Sequence, residues 1–288
     1  MTHRGSIPDY ANLDASGEAR AAARRMEARA SAPASKAMFD DLVAPLVRAS
    51  IARIDGPVRD ASPRVLEIGC GTAPLARSIA AMAPDAAVFA CDKSALMLDE
   101  AQLLADGDSR SISFAPWDVT DVTAFPFANE QFDLIVSSVM TPYIDDVQTA
   151  SLIRYLAGRL APGGAIAFIE QDLLTDSLNC RSYDLFARVF AKDARRMKAT
   201  LALGLRPLLR NAGLSLLPRK SYIWTDDEYG TYARELIFRM AAEASANGRI
   251  SERERDEWLA ELNKLAAAGD FYYGLVYHRI AAERAPGN

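Results

Sequence analysis

From Pro63 onward, short apolar runs alternate with stretches of helical periodicity. Arg64–Ile68, Ala87–Cys91, Ile112–Pro116, Phe132–Ser137 and Ala165–Ile169 read as strands, and Leu75–Ala83, Leu96–Ala105 and Thr149–Leu160 as helices between them. Strands that are apolar along their whole length are buried on both faces. Joined by helices, they predict a parallel sheet covered on each side. Leu214–Trp224 and Phe271–Ala281 extend the count to seven. The expectation is an α/β chain with a seven-stranded, mostly parallel sheet.

The flanking sequence is helical. Glu18–Ala32 and the amphipathic stretch Lys36–Ile54 precede the sheet, punctuated by Pro33 and by Gly56-Pro57. Later, residues 181–213, Asp227–Ala246 and Ser251–Ala268 read as helices, the last opening on a capping box of Ser251 and Glu254. This predicts a helical cap over residues 1–62. A sheet domain over 63–288 follows, with helical insertions at about 173–213 and 225–269 that form a lid.

Composition narrows the classes of function. Half of the 288 residues are apolar, which excludes whole-chain disorder. A net charge of −5 argues against nucleic acid as a partner. Three cysteines and two histidines are too few for a disulfide framework, a zinc site or a histidine cluster, so no metal is expected. The first ten residues lack the apolar core of a signal peptide, and no run reaches the about 20 apolar residues of a membrane span. A cytoplasmic protein with no membrane partner is expected; a homo-oligomer is left open.

The chemistry concentrates after the first strand, in Glu67-Ile68-Gly69-Cys70-Gly71-Thr72-Ala73-Pro74. Glycines at 69 and 71 let a ligand approach the turn's backbone. Pro74 stands where a nicotinamide or flavin fingerprint wants a third glycine, and it has no N–H for a pyrophosphate. Glu67 would repel a pyrophosphate and attract a cation. Asp92 ends the second strand, 21 residues after Gly71, where an acid binds ribose hydroxyls; Asp118 follows the third. Carboxylates at three consecutive strand tips lie on the edge where open α/β sheets bind ligands.

These motifs in order, with Asp92-x-Ser94-x-x-Met97-Leu98, Trp117-Asp118 and Leu160-Ala161-Pro162-Gly163-Gly164, resemble the class I S-adenosylmethionine-dependent methyltransferases. Within them the chain is most similar to the small-molecule branch of ubiquinone/menaquinone and natural-product enzymes. The likeness is tight over about 63–172. It implies a Rossmann-like sheet and S-adenosylmethionine as cofactor. Glu67, Gly69 and Gly71 would line its methionine part, and Asp92 would hold the ribose. Lys93 or Met97 would pack near the adenine, Asp118 and the Val119 amide would bind its edge, and Ser137 and Ser138 would border the methyl group. The family's third glycine is replaced by Ala73-Pro74.

Methyl transfer from a sulfonium is an in-line displacement that needs alignment and a dry site more than a fixed catalytic motif. A base serves where the nucleophile carries a proton. Asp172 and Gln171, on the edge that faces substrate in related enzymes, are the leading polar contacts; Tyr143 and Tyr10 are further catalytic candidates. His278 reads as structural. Tyr222, Trp224, Tyr229, Tyr232, Phe271, Tyr272 and Tyr273 are candidates to line an acceptor pocket, with ordinary core as the alternative. The expected acceptor is a small aromatic or hydrophobic metabolite. Protein or RNA methylation, and a cofactor-binding module without methyl transfer, stay open. The turn Met140-Thr141-Pro142-Tyr143 keeps only the last two residues of the Asn-Pro-Pro-Tyr motif of amino-group methyltransferases.

Overall fold

The computed structural model describes residues 13–54, 62–106, 112–191 and 202–286. Its strands are β1 (Arg64–Ile68), β2 (Ala87–Asp92), β3 (Ile112–Pro116), β4 (Phe132–Ser138), β5 (Leu160–Leu178), β6 (Ser215–Leu216), β7 (Lys220–Asp226) and β8 (Tyr273–Glu283). They form one sheet in the order β3-β2-β1-β4-β5-β8-β6, with β7 also on β8. β1 to β5 are mutually parallel, and β8 runs antiparallel to β5, β6 and β7. Chain order reverses direction between β1 and β4, which opens a crevice at the C-terminal strand ends.

The described helices are α1 (Leu13–Ser16), α2 (Ala19–Ala30), α3 (Pro33–Leu42), α4 (Ala44–Ile54), α5 (Pro74–Met82), α6 (Ala95–Asp106), α7 (Asp146–Ala157), α8 (Tyr183–Val189), α9 (Ala202–Asn211), α10 (Thr231–Ala246) and α11 (Glu252–Ala268). Successive strand residues point to opposite faces, and the core divides accordingly. Val65, Val136 and Ala167 pack with α4, α5 and α6 on one face. Leu66, Ile135 and Phe168 pack with α7 and α9 on the other. This two-sided burial is what the unbroken apolar strands require.

Several expectations change in detail. The predicted sixth strand is split into β6 and β7, because Leu217-Pro218-Arg219 interrupts the edge; Pro218 has no N–H for the ladder. The sheet therefore has eight hydrogen-bonded segments rather than seven. Lys36–Ile54 is two helices that meet at Val43, the first opening on Pro33, whose missing N–H costs nothing at a helix start. α7 begins at Asp146, ahead of the predicted Thr149, because Asp145 and Gln148 form a capping box. The box at Ser251 and Glu254 opens α11 as expected.

β5 is the largest departure. Residues 173–178, expected to start a helical insertion, continue the strand, with Ser177 opposite Gly274 and Leu178 opposite Tyr273. The Tyr273 hydroxyl donates to Asp176 at 2.7 Å and locks this extension. Trp224, Tyr229, Phe271 and Tyr273 are buried in the core, and Tyr222 and Tyr232 pack against it partly buried.

At the other end of β5 the pairing with β4 slips between Phe132 and Leu134. A Cβ on Gly164 would lie 2.7 Å from the Phe132 carbonyl and 2.9 Å from that of Ala161. Both obstacles are backbone. Gly164→Ala is expected to destabilise the chain by about 1–3 kcal/mol, the usual range for overpacking, measured as a lower urea midpoint with unchanged slope.

Candidate active site

The turn from β1 to α5 is built from left-handed residues: Gly69 at φ 65°, Gly71 at 54° and Ala73 at 56°. Glycine takes that conformation freely; Ala73 is a strained position for an L residue. Asp92, at the tip of β2, reaches across and accepts the Gly71 N–H at 2.8 Å with one oxygen and the Ser94 N–H at 2.9 Å with the other. Glu67 is buried beneath the turn and accepts the Ala76 N–H of α5 at 2.8 Å. Asp118, beyond β3, pairs with Lys93 at 2.8 Å and accepts the Thr120 N–H and hydroxyl. The three carboxylates thus stand at successive strand tips.

Their environments differ. Burial lifts Glu67 to about 8, partly opposed by the Ala76 amide and reinforced by the neighbouring Asp92 charge. Burial also raises Asp92 against the pull of the Ser94 and Gly71 amides. At Asp118 burial again pushes upward, but the Lys93 and Thr120 bonds together outweigh it and hold the group below the ordinary carboxylate value. The inner pair is therefore short of positive charge.

The N-terminal helices close over this rim. The Met26 thioether of α2 lies against Gly71, where a Cβ would come within 2.5 Å of its sulfur, and accepts the Thr72 N–H at 3.3 Å. Glu27 accepts the Thr72 hydroxyl at 2.5 Å and both its oxygens take Arg77 at 2.7 Å. Asp14 of α1 takes the Ala95 N–H at 2.9 Å and the Ser94 hydroxyl, which caps α6. Met97 is buried with Leu13, Ala19, Ala22 and Ala23. It serves the seam between α6 and these helices, a packing role the sequence did not indicate. The polar contacts of Met26 and Glu27 were likewise illegible: Arg-rich helices give no sign of what they cover.

On the adjoining strands, Met140 presses on Gly69, whose Cβ would lie 2.5 Å from its Cγ. The next residue, Thr141, donates its hydroxyl to Glu170 of β5 at 2.7 Å and its N–H to the same oxygen at 3.4 Å. Glu170 is buried, and among the described residues its other oxygen has no hydrogen-bond partner, as is true of the buried Ser137 hydroxyl. Burial pushes Glu170 up to about 7 against those Thr141 bonds. The signal for Glu170 was present: a carboxylate in an apolar strand, on the face of Phe168.

The sequence candidates fare unequally. Ser137 and Ser138 end β4 beside this group, on opposite faces. Val119 is half-buried next to Asp118. Asp172 faces His278 Nε2 at 3.4 Å, and Gln171, on the other face, donates to the Tyr277 hydroxyl at 2.6 Å. Arg29 of α2 bonds that same hydroxyl. Tyr143, in the short turn that follows β4, is 41% exposed. Tyr10 and His3 lie outside the described residues.

Raised carboxyl values carry a stability consequence. Between about pH 4.5 and 8 the folded chain keeps protons on Glu67, and up to about 7 on Glu170, that the unfolded chain has lost. Folding stability therefore falls as pH rises through this window. Glu67→Gln is expected to flatten the decline, most visibly between pH 6 and 8, in urea titrations at stepped pH.

Against this geometry stand the known proteins. The methyltransferase-domain family matches residues 65–164. A malonyl-[acyl-carrier protein] O-methyltransferase of Enterobacter lignolyticus is 35% identical over 115 residues, 40% of this chain and 41% of that one. An uncharacterized methyltransferase of Mycobacterium tuberculosis is 31% identical over 148 residues, 51% of this chain and 69% of that one. The ubiquinone/menaquinone biosynthesis C-methyltransferase of Cereibacter sphaeroides is 28% identical over 124 residues, 43% and 48%. The chain thus spans about two fifths of the first relative and about half of the third. The solved structure of a putative sarcosine dimethylglycine methyltransferase from Galdieria sulphuraria superposes with a TM-score of 0.48 at 14% identity, over 84% of each chain. The matched segment carries the glycine turn, Asp92, Asp118 and β4, and the chain belongs to the S-adenosylmethionine-dependent methyltransferase family.

Proposed function

We propose that the chain transfers the methyl group of S-adenosylmethionine to the oxygen, nitrogen or carbon of a small aromatic or otherwise hydrophobic metabolite. The observation that carries this reading is the pair of buried, under-compensated carboxylates, Glu67 and Asp92, flanking a glycine turn at the switch point of a parallel sheet. A cationic nucleoside fits such a berth. Its positive charge favours the ionised form of both acids, and its ribose hydroxyls match Asp92. Gly69 and Gly71 keep Cβ atoms out of the turn.

When bound, the cofactor supplies a methyl group already activated on a sulfonium. The protein's share is placement. Asp92 and Asp118 orient the nucleoside from two strand tips, and Lys93 fixes Asp118 for that purpose. The α2 helix excludes water: Glu27 pins it to Thr72 and Arg77, and Arg29 pins it to Tyr277. Met26 yields its seat on Gly71 to the incoming ligand. Alignment of this kind supplies about 7–11 kcal/mol in well-oriented systems. We read residues 1–62 as a cap over the cofactor and Asp172 as a polar contact for the acceptor. A chain built for placement suits a natural-product or quinone type of acceptor, and one of its relatives is named for ubiquinone/menaquinone biosynthesis.

Two measurements test the reading. Asp92→Ala is expected to weaken S-adenosylhomocysteine binding by about 10–100-fold, the worth of charge-assisted ribose hydrogen bonds, by isothermal titration. Equal affinity in the variant removes the site. Because Glu67 holds its proton up to about 8, a cation bound beside it drives that proton off. S-adenosylmethionine binding at pH 7.5 is expected to release protons, seen as a dependence of the heat on buffer ionisation enthalpy. Glu67→Gln should abolish the release.

A further inference from the structure

The helix that covers the glycine turn also reaches the far side of the sheet. Met26 of α2 rests on Gly71, and Arg29, one turn along on the same side of the helix, donates to the Tyr277 hydroxyl of β8. The Arg29 main chain is fixed from the core: Trp224 Nε1 donates to the buried Ser35 hydroxyl at 2.8 Å, and that hydroxyl donates to the Arg29 carbonyl at 2.5 Å. A guanidinium is thereby stationed beside the proposed cofactor berth.

The strand register lines up a polar row beneath it. Gln171 of β5 lies opposite Tyr277 of β8, and Tyr277 lies opposite Tyr222 of β7, so the three share the face that also carries Glu67. Gln171 Nε2 donates to the Tyr277 hydroxyl at 2.6 Å, and this phenolic oxygen therefore accepts two N–H donors. Its own O–H has no acceptor among the described residues. Burial keeps that proton in place, pushing Tyr277 up to about 12. Arg29, Gln171 and Tyr222 are only half-buried, so the row is open to a ligand from solvent.

The charge around the row is positive. Arg279, one row along the same face and opposite Ile169, is buried; it donates to the Leu42 and Pro218 carbonyls at 3.3 and 3.2 Å, and its Nε has no partner among the described residues. Asp41 is paired with Lys220, and Glu67 stands two strands from β5, beyond β4. At the tip of β4, the β-branched Val139 is held at φ 56°, with its N–H on the Ile169 carbonyl at 2.9 Å. Backbone strain of this kind collects at binding sites. Two berths of opposite sign thus adjoin under α2: acids at the tips of β1 and β2, and N–H and O–H donors over β5 and β8.

We propose that the acceptor is a carboxylic acid with an apolar body, and that Arg29, Gln171 and the Tyr277 hydroxyl receive its carboxylate. This rests on the methyltransferase reading and deepens it by naming the acceptor's class. A guanidinium matches the planar pair of carboxylate oxygens, and the Tyr277 O–H supplies a further donor. A neutral or cationic acceptor gains nothing from this arrangement.

The probes are benzoate, phenylacetate and octanoate, each beside its primary amide, titrated calorimetrically into the full chain saturated with S-adenosylhomocysteine. At least one carboxylate is expected to bind about 10-fold or more tightly than its amide. Carboxylates that bind no better than their amides overturn the proposal. Arg29→Gln is expected to weaken the preferred carboxylate by about 10-fold or more and its amide by less than twofold, and Arg29→Lys to recover part of the loss. A merely structural arginine would lower both ligands alike, and that result also overturns the proposal. Where Arg29→Gln no longer binds S-adenosylhomocysteine, Tyr277→Phe decides: about fivefold weaker carboxylate binding is expected, and unchanged affinity overturns the proposal. A parent chain that fails to bind S-adenosylhomocysteine refutes the methyltransferase reading. One that binds it without preferring carboxylates refutes the carboxylate site alone.

Discussion

Asp92 couples two turns. One oxygen holds the Gly71 amide and the other holds the Ser94 amide, so the loop that leaves β1 and the loop that leaves β2 move as one piece. Every other feature of the rim is set against that brace. Gly69 and Gly71 can adopt their left-handed turn close to β2 because the carboxylate satisfies an amide that would otherwise be left without a partner. Ser94, fixed by the same residue, presents its hydroxyl to the Met97 amide at 3.1 Å and to Asp14. The start of α6 and the start of the chain are thus joined to the glycine turn through one side chain.

The cost of the arrangement is electrostatic. Glu67 and Asp92 lie on adjacent parallel strands and both are desolvated; the Asp92 charge adds to the hold of Glu67 on its proton, and Asp14 adds to that of Asp92. Arg29 and Arg77 moderate Glu67 from a distance, and both are engaged elsewhere, with Tyr277 and with Glu27. The helix that delivers both Arg29 and Glu27, α2, therefore packs on the glycine turn and partly offsets the charge beneath it.

The two faces of the sheet divide the labour. Glu67, Ser138, Gln171 and Tyr277 belong to the face roofed by α2, where the nucleoside is proposed to lie. Ser137, Glu170, Asp172 and His278 belong to the other, beside α9. Strand periodicity alone enforces this separation, since neighbours in sequence point in opposite directions. The tip of β4 is where the faces meet, and Met140 links them by touching Gly69 while its neighbour binds Glu170.

Residues near one another in the chain were legible from sequence. The strand–helix alternation set the parallel sheet, because apolar runs of that length have to be buried on both sides. The acid–glycine turn and the carboxylates at successive strand ends followed, because each is defined within a few residues of its own strand. What needed the tertiary structure lies far apart in sequence. Glu170 reads as one polar residue among several until β8 brings His278 opposite it. Met26 and Glu27 read as a generic Arg- and Ala-rich helix until α2 lands on a turn some 45 residues away. The aromatic cluster near 222–232 and 271–273 reads in sequence more readily as core than as pocket, and packing places Trp224, Tyr229, Phe271 and Tyr273 in the core. Local patterning fixes which face of an element is buried; which distant element buries it, and what charge arrives with it, depends on the three-dimensional register of strands and helices that no short window of sequence contains.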